Sequence, residues 1–270
     1  MRVQIISDME GVAGIVKWEQ VTGGDPMFEE ARKLYTEEIN AAVRGAKAAG
    51  ADEILVMDHH GAGKGWNFNS LVPELLDPAC EYVVQSSWTE YTDFLEQGCD
   101  AGLLIAMHAK AGTTDGVMNH TVSSQAWRNL WFNGKLVGET GINAALCGQW
   151  GCPVVLVTGD EATCREATEL LGPAITTVAV KQGIGRYSAR QMPPQRAREL
   201  IEEGARKALS GNLKAVAPYD PGHPCEIRVE VTTTDRIEEF RRKAGLEIEE
   251  PLTVISRADD WWTAWSRLYF

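Results

Sequence analysis

The sequence Ser7-Asp8-Met9-Glu10-Gly11 sets two carboxylates two residues apart at the end of an apolar run, Val3 to Ser7. Side chains alternate along extended backbone, so Asp8 and Glu10 project to the same side. Two carboxylates side by side repel unless a cation lies between them, although an isolated pair of this kind is also a common solvated strand end or helix cap. The run Glu53 to Asp58 continues into His59-His60-Gly61, and the run Gly102 to His108 into Ala109-Lys110. Four of the five histidines (59, 60, 108 and 120) thus sit at or just beyond the ends of expected strands. Open α/β sheets place their ligand crevice outside the carboxyl ends of the strands, and three separate strands deliver Asp8, Glu10, His60 and His108 to that edge. Carboxylate oxygen and imidazole nitrogen without thiolate suit zinc, manganese or iron in an open catalytic site. With Glu139, which opens an expected helix in Gly138-Glu139-Thr140-Gly141, the charge suffices for two divalent cations. A first-turn acid favoured by the helix dipole is the plainer reading of Glu139. His120, in the glycine-bearing stretch Gly116-Val117-Met118-Asn119-His120, is placed to hydrogen-bond an oxyanion or pass a proton to a leaving group.

Short apolar runs alternate with helical patterns through most of the chain, the signature of βα units and a largely parallel sheet. Strands are expected at Val3 to Ser7, Glu53 to Asp58, Tyr82 to Gln85, Gly102 to His108 and Val154 to Thr158. Phe28, Ala31, Tyr35, Ile39, Ala42 and Ala46 recur at helical spacing before Gly50. Further helices are expected over Thr89 to Gln97, Glu139 to Trp150 and Asp160 to Leu171, with Asp160 capping the last. Asn133-Gly134 between two apolar pairs is a hairpin signal. After Gly172-Pro173 the rhythm becomes strand (Ile175 to Val180), helix (Pro194 to Leu209), strand (Glu226 to Thr233), helix (Asp235 to Ala244), strand (Leu252 to Ile255) and helix (Asp259 to Leu268). The expected fold is α/β: a three-layer αβα domain with a mostly parallel sheet over 1–172, and a smaller C-terminal α+β domain over 173–270.

The chain has 270 residues, 44% of them hydrophobic, enough to build a substantial core. A net charge of -12 opposes the phosphate-neutralising surface that nucleic acid or an anionic membrane would need. No secretory signal opens the sequence, and no run approaches the roughly 20 apolar residues of a membrane span. The six cysteines lack CxxC spacing, so reduced core thiols in a cytoplasmic protein are expected. Serine hydrolysis lacks its GxSxG elbow, and Gly61-Ala62-Gly63-Lys64-Gly65 lacks phosphate-loop spacing and reads as an active-site loop. Lys110 is a candidate for a substrate carboxylate or the site's rim, while Lys181 and Arg186 are candidates for an anion or a subunit contact. Trp261, Trp262 and Trp265 on the last helix suggest domain or subunit packing, and hence a homo-oligomer.

Taken together, Ser7 to Gly11, Asp58-His59-His60, His108-Ala109-Lys110-Ala111 with Gly116 to His120, and Val137 to Asn143 resemble the M55 metallopeptidases, zinc D-aminopeptidases. The resemblance continues through Val157-Thr158-Gly159-Asp160-Glu161 and Val180-Lys181-Gln182, covering nearly the whole chain. It implies that Asp8, Glu10, His60, His108 and Glu139 bind a two-zinc centre and that His120 is a catalytic histidine outside the ligand set. It also implies assembly as a ring-like decamer enclosing the active sites. His59 stands where the family pattern has serine, and the His108 to His120 loop is one residue longer than that pattern. The expected activity is hydrolysis of the amide after a free N-terminal residue in short D-amino-acid peptides or aminoacyl amides. The alternatives are another dinuclear hydrolase, a phosphoesterase or amidase, and a non-catalytic peptide-binding protein.

Overall fold

The protein, represented by a computed structural model, is described over residues 1–87 and 91–269. In chain order the elements are β1 (Arg2–Ser7), α1 (Trp18–Val21), α2 (Phe28–Ala48), β2 (Glu53–Asp58), β3 (Glu81–Val83), α3 (Asp93–Glu96) and β4 (Ala101–Met107). There follow β5 (Trp127–Phe132), β6 (Lys135–Val137), α4 (Glu139–Gln149), β7 (Val154–Asp160), α5 (Glu161–Leu171), β8 (Thr176–Gly185) and β9 (Ser188–Gln191). The chain ends in α6 (Pro194–Ser210), β10 (Cys225–Val231), α7 (Thr234–Phe240), β11 (Leu246–Glu250), β12 (Thr253–Ala258) and α8 (Trp261–Tyr269).

A seven-stranded sheet has the order β3-β2-β1-β4-β7-β8-β9, parallel except for the β8–β9 pair. Its central strands β4 and β7 are buried throughout, as a strand covered on both faces must be. From β1 the chain passes through α2 to β2 on one side; from β4 it passes through α4 to β7 on the other. Right-handed crossovers running in opposite directions put α2 and α4 on opposite faces, which gives the three-layer α/β arrangement expected. The reversal falls between β1 and β4, neighbours in register from Val3 with Ala101 to Ser7 with Ile105. On the α2 face, α6 packs so tightly that a Cβ at Gly45 would lie 2.3 Å from the Glu202 carbonyl oxygen.

The second sheet, β11-β12-β10-β5-β6, is antiparallel, with α8 packed on β10 and β12 and against α4. The expected division into 1–172 and 173–270 does not describe the sheets. The hairpin β5–β6 leaves the first segment to join the second sheet, and β8 and β9 return from the second segment to the first. Two strands had no counterpart in the sequence reading. β9 is short and polar, and β11 carries Glu247, Glu249 and Glu250 on an edge, where charge discourages pairing with another chain. The helix expected from Thr89 is only Asp93–Glu96, and residues 89–90 lie outside the described residues. Among the described residues no helix is long and apolar enough to cross a membrane.

Candidate metal centre

Asp8 directly follows β1 and His108 directly follows β4, so adjacent parallel strands bring them together at the sheet's switch point. Two local devices sharpen that meeting. Between Leu104 and Met107, β4 takes three steps while β7 takes two, a bulge at which Ala106 adopts φ 60°. Such an extra residue bends the strand and re-aims the side chains that follow, here His108. Gly11 then presses onto this bulge. Its N–H donates to the Ala106 carbonyl at 2.8 Å, and a Cβ there would lie 2.2 Å from the Met107 carbonyl oxygen.

Five side chains converge. His108 Nε2 lies 3.2 Å from Asp8 Oδ2 and 3.1 Å from Glu139 Oε1, while His60 Nε2 lies 3.6 Å from Glu10 Oε1. Asp8, Glu10, His60 and His108 are buried and Glu139 is half-buried. Burial works against charge on both kinds of group, but proximity overrides it. The Glu139 and Asp8 carboxylates hold the His108 imidazole well above its ordinary range, and Glu10 brings His60 to about 9. In return His108 keeps Asp8 and Glu139 below the usual carboxylate range despite burial.

These contacts nonetheless leave lone pairs over. Among the described residues Asp8 Oδ2, Glu10 Oε2 and His108 Nε2 are buried without a hydrogen-bond partner, so the short His108 approaches lack hydrogen-bond geometry. Buried carboxylate oxygen and imidazole nitrogen left over in this way are what a divalent cation satisfies by displacing the imidazole proton, and together they are the donor set of an open catalytic metal site. Two triads have donor atoms within 4.8 Å of one another, Asp8, Glu10, His108 and His108, His120, Glu139. The residues present therefore fit a metal.

The imidazoles are oriented from behind. His108 Nδ1–H points at the Ala109 carbonyl (3.0 Å), His120 Nδ1–H at the Met118 carbonyl (2.9 Å), and His60 Nδ1 meets Ser70 Oγ (2.9 Å). Each bond turns an Nε2 toward the carboxylates. Asp58, fully buried, accepts from the His60 N–H at 3.0 Å and the Tyr35 hydroxyl at 2.9 Å, fixing the β2 end. His120 stacks on His108 with ring centres 4.0 Å apart, and its Nε2 is 3.8 Å from Glu139 Oε1. Val122 holds φ 61°, unusual for a branched residue, and its N–H donates to Glu139 Oε1 at 2.7 Å.

His59 faces the same cavity as the cluster, with Nδ1 2.9 Å from Asn143 Oδ1; burial drives its pKa down to about 4. Lys110 ion-pairs with Glu166 at 2.9 Å and does not line that cavity. Lys181 serves neither an anion nor a subunit. It is 2% exposed, and its ammonium donates to the carbonyls of Glu10 (2.6 Å), Val12 (2.8 Å) and Ile15 (2.8 Å), clamping the segment after Asp8. Arg186 lies over the rings of Trp18 and Tyr187. Asp160 caps α5 as expected, accepting from the Thr163 N–H at 2.7 Å. A lysine directly after the apolar run Thr177 to Val180 was the available signal for its burial; nothing local pointed to Ser70.

The cluster forms one end of a cavity of about 560 Å³. Ile142 and Leu146 of α4 and Trp261, Trp265 and Tyr269 of α8 line the same cavity. The final helix was expected to serve packing; it also walls this cavity.

Comparison with known proteins identifies the family. The chain matches the M55 peptidase (D-aminopeptidase) family over residues 1–270. A D-aminopeptidase of Bacillus subtilis (strain 168) is 32% identical over 259 residues, covering 94% of this chain and 90% of the relative. The solved structure of the Zn-dependent D-aminopeptidase DppA from Bacillus subtilis, a self-compartmentalizing protease, superposes with a TM-score of 0.90 at 31% identity. That superposition covers 99% of this chain and 95% of the other. The strand-end donor cluster is thus built on a backbone shared with a zinc enzyme, and the chain belongs to the M55 family of peptidases.

Proposed function

We propose that this metallo-aminopeptidase removes the N-terminal residue of short D-amino-acid peptides or aminoacyl amides, using two divalent ions, zinc by preference. Asp8, Glu10, His60, His108 and Glu139 would hold them. The observation that carries this is the set of buried oxygen and nitrogen atoms on Asp8, Glu10 and His108 left without hydrogen-bond partners among the described residues, beside a cavity. Bound there, such ions supply Lewis acidity, which acidifies a water and polarises the scissile carbonyl.

The chain's own groups do the rest. His120 is the catalytic histidine outside the ligand set. With Nδ1–H held by the Met118 carbonyl, its Nε2 lone pair is the atom that takes a proton from the attacking water and returns it to the leaving nitrogen. Trp18, edge-on to His120 with ring centres 5.3 Å apart, limits the ring's rotation.

The chain is further proposed to assemble as a homo-oligomer, in a ring-like decamer, and to act in the cytoplasm. The exposed Ile184 (73%) and Tyr187 (50%) on the β8–β9 hairpin support self-association, and six free thiols suit a reducing compartment.

The test is a zinc-reconstituted screen over matched D- and L-dipeptides and aminoacyl amides, run beside a generic phosphate ester. Release of amino acid from free-amine D-substrates, abolished by chelation, is the expected result. Phosphate release without peptide cleavage would replace this reading with the phosphoesterase one. Peptide binding without turnover in the metal-loaded protein would reduce it to a binding protein.

A further inference from the structure

We infer that the part of the cavity lined by Leu146 of α4 and by Trp261 and Trp265 of α8 is a side-chain subsite that makes this enzyme prefer substrates carrying a bulky apolar or aromatic residue over all-alanine peptides. The inference rests on the aminopeptidase reading above and specifies its substrate.

The first argument is reach. Glu139, Ile142, Asn143 and Leu146 all line the cavity, at the three- and four-residue spacing of one face of α4. With a rise of about 1.5 Å per residue, Leu146 lies about 10 Å along the axis from the Glu139 end. The cleaved amide must sit at the Glu139 end, so the Leu146 end is a full side chain away. A methyl group would leave it empty. A volume of about 560 Å³ also belongs to the class of pockets that enclose ligands much larger than dialanine, about 300–1,000 Å³.

The second argument is the chemistry of the wall. Trp261 and Trp265 lie one turn apart on α8 and stack with ring centres 5.6 Å apart and planes 13° apart. They are held from behind by Phe132 and Trp127 of β5. Both are almost fully buried in the protein, yet both border the cavity together with Tyr269. Rigid, pre-stacked indoles offer an aryl or branched aliphatic side chain apolar area and edge-to-face contacts without having to reorganise.

The experiment uses the zinc-loaded full chain and two series of D-dipeptides, Xaa-Ala and Ala-Xaa, with Xaa running from Ala through Val and Leu to Phe. The expected result is that kcat/KM for Phe or Leu exceeds that for Ala by about tenfold or more in one series, which also identifies the substrate residue that occupies the subsite. Ile142→Trp, which fills the wall from α4, should lower the Phe-to-Ala ratio of kcat/KM in that series by about tenfold. Trp265→Ala, which removes one indole of the stack, should lower the same ratio; Trp265→Phe keeps an aromatic plug, should lower it less, and replaces the alanine variant should that fail to fold. Alanine preferred in both series, or a ratio indifferent to Ile142→Trp, overturns the subsite. If no peptide is cleaved, the aminopeptidase reading fails by itself. The subsite is then decided by tryptophan emission, which should shift on titrating metal-free protein with D-phenylalanine amide and not with D-alanine amide; no difference between the two amides refutes it.

Discussion

At the scale of single residues, the donor set and its supports make separate demands on mutagenesis. His120 borders the cavity, and its Nδ1–H is committed to the Met118 carbonyl. His120→Ala should therefore cut turnover by about 10²–10⁴-fold, the range of a lost general acid–base, while metal content by mass spectrometry stays that of the parent. Loss of metal instead would place His120 in the ligand set, as its grouping with His108 and Glu139 allows. The two raised imidazoles have a consequence of definite sign. In the metal-free protein His60, at about 9, and His108, well above its ordinary range, both carry a proton at pH 7. Ligation requires neutral imidazole, so zinc uptake at pH 7 should release both protons, and affinity should rise with pH until about 9. Calorimetry in buffers of different ionisation enthalpy counts those protons, and a count of none would sink the assignment of these two histidines as ligands.

At the scale of elements, the site depends on how strand ends are held. Gly11 against the β4 bulge leaves no room for a side chain, since an added Cβ would lie 2.2 Å from Ala106 carbonyl carbon and Met107 carbonyl oxygen. Gly11→Ala should push the β1 end off β4, part Asp8 from His108 and lower zinc stoichiometry, all readable by metal analysis of folded protein. The same segment is gripped from α2 by Glu38, whose Oε1 accepts the Ala13 N–H at 2.8 Å and whose Oε2 is buried with no partner among the described residues. Burial lifts Glu38 to about 7 from an ordinary 4.5, so in the fold it holds a proton that the unfolded chain gives up. A raised folded pKa contributes stability that is present below pH 4.5 and lost as pH climbs through 7, by about 3 kcal/mol at most. Glu38→Gln keeps an oxygen for Ala13 and should flatten the melting temperature across that window; an unchanged pH slope would show that the carboxyl is ionised in the fold. The sequence made the ends of β1, β2 and β4 legible because apolar runs halting at acids and histidines mark a parallel strand's carboxyl edge. It could not reveal the bulge at Ala106 or the Lys181 clamp, since both arise from contacts between segments far apart in the chain.

At the scale of the whole molecule, the two sheets exchange strands, and this decides how the protein should come apart. Reading the change of rhythm at Gly172-Pro173 as a boundary was reasonable, because local pattern reports element type and not the sheet an element joins. In the fold, β5 and β6 come from before that point to complete the second sheet, while β8 and β9 come from after it to complete the first. The α4 helix, which carries Glu139 of the metal cluster, also packs on α8, the helix that carries Trp261 and Trp265. Neither half can bury its own apolar faces, and the cavity has walls from both. Unfolding should then be one cooperative event even in a chain well above the size at which two-state behaviour is usual. Tryptophan emission, dominated around α8 and β5, and far-ultraviolet circular dichroism, dominated by the helices of the large sheet, should report one midpoint in urea. Zinc should move both by the same amount, because a ligand bound only to the folded state stabilises everything that unfolds with its site. A tryptophan transition that precedes the dichroism transition and ignores zinc would mean that the second sheet is an independent unit, and that the aromatic wall can detach while the metal cluster stays intact.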